Sequence, residues 1–376
     1  MKKKNILPFL VLFSIIVISC SKLNSVTDAI TNPNARKIYS REFKDRQPVF
    51  DRWKENFENA KQDSLQINLP YAEKGTFFPH LAQVYSYTFN LQKGTIFTAE
   101  IEKDSSNQRI FIDLFGERDS TFFQIKSNEI SQDKLSFTPN KDGNYKIIIQ
   151  PEIAAHSNFF ISFFTKPTYY FPVAGKGNSA IQSFWGNARD GGKRSHEGID
   201  IFAEKGTPVV AAVNGRISRT GNRGLDGKQV WLRAGLFGNS LYYAHLDSII
   251  AKPNDNVKIG DTLGLVGNTG NAKTTPPHLH FGIYRIGAKN PLPYIFKTEK
   301  VTPESFVQNF TSTFIVIKTL KANLREGPST SFKKVGELTQ NDTLQLLGEF
   351  REWLHVKTFK NQQQAFIHES LVKMLE

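Results

Sequence analysis

Four histidines and one aspartate in the middle of the chain carry the strongest chemical signal. His278-Leu279-His280-Phe281 has Ile283 two residues further on, and this run reads as a buried strand. On a strand, residues two apart face the same side at about 7 Å. Two imidazoles against an apolar wall are costly unless something polar engages them. Either they share a metal site or each finds its own hydrogen-bond partner. About eighty residues earlier stands Ser195-His196-Glu197-Gly198-Ile199-Asp200-Ile201. Fully extended, His196 and Asp200 would be about 13 Å apart, too far to reach one ion. Gly198 is expected to supply the turn that brings them together. A helical His-Glu-x-x-His reading fails, because position 200 is aspartate and Gly198 disfavours a helix.

Two imidazoles and one carboxylate around Zn²⁺ leave a fourth position for water, as catalytic rather than structural zinc sites do. Zinc lowers the pKa of its water to about 7 and polarises a carbonyl, so peptide hydrolysis needs no covalent intermediate. A spare imidazole would accept the proton or hydrogen-bond the tetrahedral oxyanion. One histidine of the 278/280 pair is left over for that work, and His245 in Tyr242-Tyr243-Ala244-His245-Leu246 is a second candidate. Arg189 and Arg194 precede the first ligand and are candidates for binding substrate carboxylates, or equally solvated loop charges.

These residues need a scaffold, and 376 residues suffice for two or three domains. Hydrophobic residues at 39%, charged at 22% and 31 Phe exclude disorder, collagen-like sequence and coiled coil. Apolar runs mostly under ten residues favour many short strands, so the predicted class is all-β and multi-domain. Residues 20–64 read as a tether and one short helix, with Phe50, Trp53 and Phe57 at helical spacing. Residues 65–166 alternate with period two, as in Tyr85, Tyr87, Phe89 and Leu91, and predict an antiparallel β-sandwich. His80 and His156 within it are isolated and carry no expected ligation. Residues 170–298 hold the histidine motifs, and 312–376 form a third β-rich unit after a linker.

His-x-x-x-Asp, Tyr-Ala-His-Leu and His-Leu-His, in that order, resemble the lysostaphin/LytM-type zinc metallopeptidases that cut peptidoglycan. The resemblance spans about 172–290 and includes Gly206-Thr207-Pro208-Val209-Val210-Ala211-Ala212 and Gly264-Leu265-Val266-Gly267-Asn268-Thr269-Gly270. It implies His196, Asp200 and His280 as zinc ligands and His245 and His278 as catalytic histidines. It also implies an antiparallel sheet lining a narrow groove. The chain departs from the family at Pro276, where glycine is usual, and at Gly282, where an acid is common. Residues 312–376, with Ala322-Asn323-Leu324-Arg325 and Glu352-Trp353-Leu354-His355-Val356, resemble the bacterial SH3-like domain, which implies a small barrel that binds wall peptides. Trp353 is either a binding aromatic or core. His355 and His368 lack a partner at ligand spacing.

At the N-terminus, Lys2 to Lys4 precede thirteen mostly apolar residues, too few for the roughly 20 of a membrane span. Residues 1–19 therefore read as a signal peptide. Ser19-Cys20 resembles the lipobox of bacterial lipoproteins, which implies a lipid anchor on the chain's one cysteine and a cell-envelope location. Ser21 after it favours the outer membrane of a Gram-negative cell. Of the net charge of +13, the three lysines leave with the signal, so a mature +10 is expected. That charge suits a polyanionic envelope polymer. Export and the lack of a zinc-finger or RNA-binding signature argue against nucleic acid. The expected function is a zinc endopeptidase acting on peptidoglycan peptides. The alternatives are a non-catalytic regulator of other wall hydrolases and a wall-binding lipoprotein. Oligomeric state is not legible.

Overall fold

The computed structural model describes residues 33–43, 47–105, 107–130, 132–302 and 313–375. The expected signal peptide, lipobox and Cys20 lie outside the described residues. Among those described, no helix is long and apolar enough to cross a membrane.

Short antiparallel strands dominate, as the composition predicts. In the N-terminal part, Tyr71–Phe77, Ser157–Pro167, Thr95–Lys103 and Lys134–Phe137 lie side by side in one sheet. Tyr85–Leu91, Gly143–Pro151, Ile110–Arg118 and Thr121–Ser127 form the second. The alternating aromatics meet between the two sheets. Phe77 and Phe159 stack at 4.3 Å, and Tyr87, Phe97 and Phe163 are fully buried beside them. The helix Gln47–Ala60 closes one face through Trp53, whose indole N–H donates to the Pro151 carbonyl at 2.9 Å. A second helix, Ala35–Ser40, which the sequence reading does not include, begins where the tether ends. Its Arg36 forms a 2.8 Å ion pair with buried Asp113 and lies over the Trp53 and Phe57 rings.

The C-terminal barrel does not stand apart from this sandwich. Its strand Thr343–Phe350 pairs with Tyr71–Phe77 at Lys74–Glu349, which merges barrel and sandwich strands into one 11-stranded sheet. Leu347 and Phe366 of the barrel belong to the sandwich core, and Phe350 and Trp353 pack against it. Such pairing covers a sheet edge that would otherwise expose unpaired backbone groups. Two glycines allow the close approach. A Cβ on Gly75 would lie 2.6 Å from the Leu347 carbonyl oxygen, and one on Gly348 2.1 Å from Glu73 Oε1.

The central domain has its own core, with Ile199, Ile201, Tyr243, Leu279 and Phe281 fully buried. Its main sheet has eight strands. At its middle, Ser240–Leu246, His278–Tyr284 and Ile199–Phe202 are neighbours in that order. Apolar residues of these strands point into the core. The intervening polar ones reach the opposite face, where the site is built.

Candidate metal centre and groove

Strand register brings the motifs together. Asp200 lies directly opposite His280, and Ala244 lies opposite His280 on its other side. His196 sits just before the Ile199–Phe202 strand and turns back onto it. His196 Nε2 is 3.1 Å from Asp200 Oδ1 and 3.0 Å from His280 Nδ1, and that nitrogen is 3.0 Å from the same Oδ1. The chain bends at Gly198, as expected, and does so without a positive φ. The glycine also provides space: a Cβ there would lie 2.5 Å from His280 Cε1.

The triangle fits a tetrahedral ion. Zinc bonds of 2.0–2.1 Å put ligand atoms about 3.3 Å apart, a few tenths of an ångström from the separations here. The donor set fits as well. His196 Nδ1 meets the Phe184 carbonyl at 2.9 Å, which requires the proton on Nδ1 and leaves Nε2 with a bare lone pair. Three acceptor atoms at such distances repel one another unless a proton or a cation stands among them. Burial alone would raise the Asp200 carboxyl, but its contacts with His196 and His280 outweigh that and hold it far below the usual carboxylate range.

His245 and His278 stand beside the triangle, with ring centroids 5.1 Å apart. Each directs Nδ1 at a backbone carbonyl, Thr269 at 2.9 Å and Pro276 at 2.8 Å respectively. Nε2 is therefore the bare nitrogen on both. Burial first, then His278 and His280, push the His245 imidazolium down to about 4, so the ring is neutral at pH 7. His245 adopts φ +60°, a strained value for a β-substituted residue. Hydrogen bonds from its amide to the Asp226 carbonyl and from Nδ1–H to Thr269 hold it there.

Other groups complete the site. Arg189 Nη2 donates to Asp200 Oδ2 at 2.8 Å and to Ser183 Oγ at 2.6 Å, so this corner of the guanidinium is committed to the carboxylate while the residue also lines the groove. Arg194 lines the groove. Tyr243 is core, whereas Tyr242 lines the groove and donates to Asp226 Oδ2 at 2.8 Å. Sequence reasoning missed Asp226, which sits in a glycine-rich turn remote from every motif. Gly282 leaves room for the Tyr284 ring, which a Cβ would approach to 2.8 Å. The groove has a volume of about 750 Å³ and contains all five motif side chains. His355 and His368 lie in the barrel, and His80 and His156 flank Phe78 in the sandwich, none of them at the groove.

Residues 194–292 match the model of Peptidase family M23, and residues 320–373 match that of the bacterial SH3 domain. The chain thus carries a Peptidase family M23 domain at its centre. It is 35% identical over 123 residues to an L-Ala–D-Glu endopeptidase of Bacillus subtilis, covering 31% of this chain and 37% of that protein. It is 39% identical over 111 residues to the DD-carboxypeptidase/endopeptidase Mpg of Neisseria meningitidis, covering 29% and 25% respectively. The chain thus spans well under half the length of these curated relatives. The solved catalytic domain of lysostaphin from Staphylococcus simulans is 32% identical with a TM-score of 0.28, covering 30% of this chain and 89% of that one.

Proposed function

We propose that the chain is a zinc-dependent endopeptidase that hydrolyses cross-links or stem peptides of peptidoglycan in the bacterial cell envelope. The observation that carries this reading is the convergence of His196 Nε2, Asp200 Oδ1 and His280 Nδ1 within 3.0–3.1 Å of one another on the floor of a groove. The endopeptidase names of relatives within the M23 family support the reaction class.

His196, Asp200 and His280 would hold the ion, and the chemistry zinc supplies when bound is that of a Lewis acid that acidifies water and polarises a carbonyl. The chain's own residues do the rest. Arg189 fixes Asp200 so that Oδ1 alone turns inward. His245, neutral with a bare Nε2, takes the proton of the attacking water. His245 then returns that proton from Nε2 to the leaving amine, and His278, with Nδ1–H held by the Pro276 carbonyl and Nε2 bare, stands beside it at 5.1 Å ring to ring to accept a hydrogen bond from the water or amine. The groove walls orient the peptide and exclude bulk water. A non-catalytic regulator would follow from a lost ligand, and all five side chains are in place. Attachment through a lipid on Cys20, and an outer-membrane location, belong to the same proposal.

The deciding experiment is mass spectrometry of muropeptides released from purified sacculi by the full chain carrying one zinc per molecule. New peptide termini are expected, and o-phenanthroline should abolish them while serine-protease inhibitors do nothing. Full activity in the chelator, or zinc-loaded protein that releases nothing, would refute the proposal.

A further inference from the structure

The sheet that carries the metal site ends, at its far edge, in two adjacent hairpin tips with an unusual surface. Residues 234–239 join Lys228–Arg233 to Ser240–Leu246, and residues 285–287 join His278–Tyr284 to Ala288–Lys289. Ser240 pairs with Tyr284, so the tips project side by side. Lys289 Nζ donates to Asn239 Oδ1 at 3.1 Å and ties one to the other. Leu236 is 79% exposed, Phe237 78% and Ile286 102%. Single exposed apolar residues need no explanation, and Leu320 at 80% is one of them. Three on adjoining tips form a patch.

Cations surround that patch. Arg233 braces the first tip through the Leu236 carbonyl at 3.1 Å. Arg285 and Lys289 flank the second, and Lys93 stands near enough that, after burial, it and Arg285 push the Lys289 ammonium down. Asp142 accepts the Lys93 amide at 2.7 Å. Arg233, Arg285, Lys289 and Lys93 thus lie on or beside the tips that carry the three apolar side chains.

We propose that these two tips are a membrane-contact site for an anionic lipid surface. Leu236, Phe237 and Ile286 enter the headgroup–acyl boundary while Arg233, Arg285, Lys289 and Lys93 meet lipid phosphates. Apolar burial combined with attraction to anionic headgroups is the basis of interfacial binding. A soluble polyanion would satisfy the cations but bury none of the three apolar side chains. A second copy would bring four like charges against four. The tips lie beyond Tyr284, four residues and about 13 Å along the strand from His280. The site therefore binds lipid while the metal centre stands clear of the bilayer.

The test uses the mature chain from residue 20 with Cys20→Ser, which removes the apolar leader, any lipid anchor and every native thiol, and Phe237→Cys labelled with the environment-sensitive dye NBD. With vesicles of phosphatidylglycerol and phosphatidylcholine, NBD emission should move to shorter wavelength and rise several-fold. With phosphatidylcholine alone it should change little. Arg285→Gln and Lys289→Gln should each weaken the response about fivefold. The same dye at Thr330→Cys, on the barrel, should stay silent. No response at position 237, an equal response to both lipids, or an equal response at position 330 would overturn the proposal. A protein-concentration-dependent shift without vesicles would instead assign the patch to a second copy, and overturn it too.

Discussion

Two imidazole–carboxylate clusters in this molecule have nearly the same contact lengths and opposite characters. In the groove, Asp200 meets His196 and His280 at 3.1 and 3.0 Å. At the sandwich–barrel junction, Glu73 Oε1 meets His355 Nδ1 at 3.0 Å, with both side chains fully buried. The difference lies in the count of donors and acceptors. Gln364 Nε2 donates to the Val84 carbonyl and to Asp63, so its oxygen faces His355 Nε2 at 2.8 Å. Both His355 nitrogens thus face oxygens, and Tyr71 and Tyr87 donate to the other Glu73 oxygen at 2.5 and 2.6 Å. Every polar atom named there has a partner. The groove instead gathers three ligand-capable atoms within 3.1 Å of one another and leaves the Nε2 atoms of His245 and His278 bare. A satisfied network of this kind rigidifies. An unsatisfied one, facing an opening, binds and reacts.

The contrast can be broken from either side. The largest effect is expected in the groove: His280→Ala should lose zinc and activity together. His245→Ala should keep stoichiometric zinc, measured by plasma mass spectrometry, and lose about 10²- to 10⁴-fold in muropeptide release. Activity should also fall on the acid side, because the ligand imidazoles must be neutral to hold metal.

At the junction, Glu73→Ala should leave His355 buried without its carboxylate and cost about 3–5 kcal/mol in urea unfolding. Zinc content should not change. If Glu73→Ala removed the metal, or His280→Ala unfolded the sandwich, the two sites would not be the separate devices described here.

Smaller effects sharpen the picture. Arg189→Gln should weaken zinc binding about 10- to 100-fold in competition with a chelator, as expected for a group that orients a ligand. An unchanged affinity would make its bond to Asp200 incidental. Smallest is Asp63, whose carboxyl is raised by burial from 3.8 to about 6, against the opposing pull of Lys146, His355 and Lys357. A raised carboxyl contributes stability below pH 3.8 and loses it as pH climbs through about 6. Asp63→Asn should therefore stabilise by roughly 1 kcal/mol at pH 7.5, allowing for partial exposure, and have almost no effect at pH 4. Equal urea midpoints for the two proteins at pH 7.5 would contradict this.

Period-two alternation in Tyr85–Leu91 and in Gly143–Pro151 announces a sandwich because an aqueous strand with one buried face has to alternate. The His278-Leu279-His280 spacing announces two rings on one side for the same reason. Read along the chain, however, sandwich and barrel are separate modules. Glu73 and His355 lie 282 positions apart, and nothing local in either segment signals the other. Gly198 bends the chain as its position suggests, but its close approach to the His280 ring, which comes from another strand, is not legible locally. Arg189 likewise gave equal grounds for a substrate contact and a solvated charge.

Residue types and their spacing thus determined the all-β class, the ligand-capable side chains and the face each occupies, since these follow from backbone periodicity and side-chain chemistry alone. Only the tertiary structure decided which acceptors converge, which arginine holds the carboxylate, and that the barrel completes the sandwich. Those outcomes depend on distances between strands far apart in the chain, and register and packing set such distances.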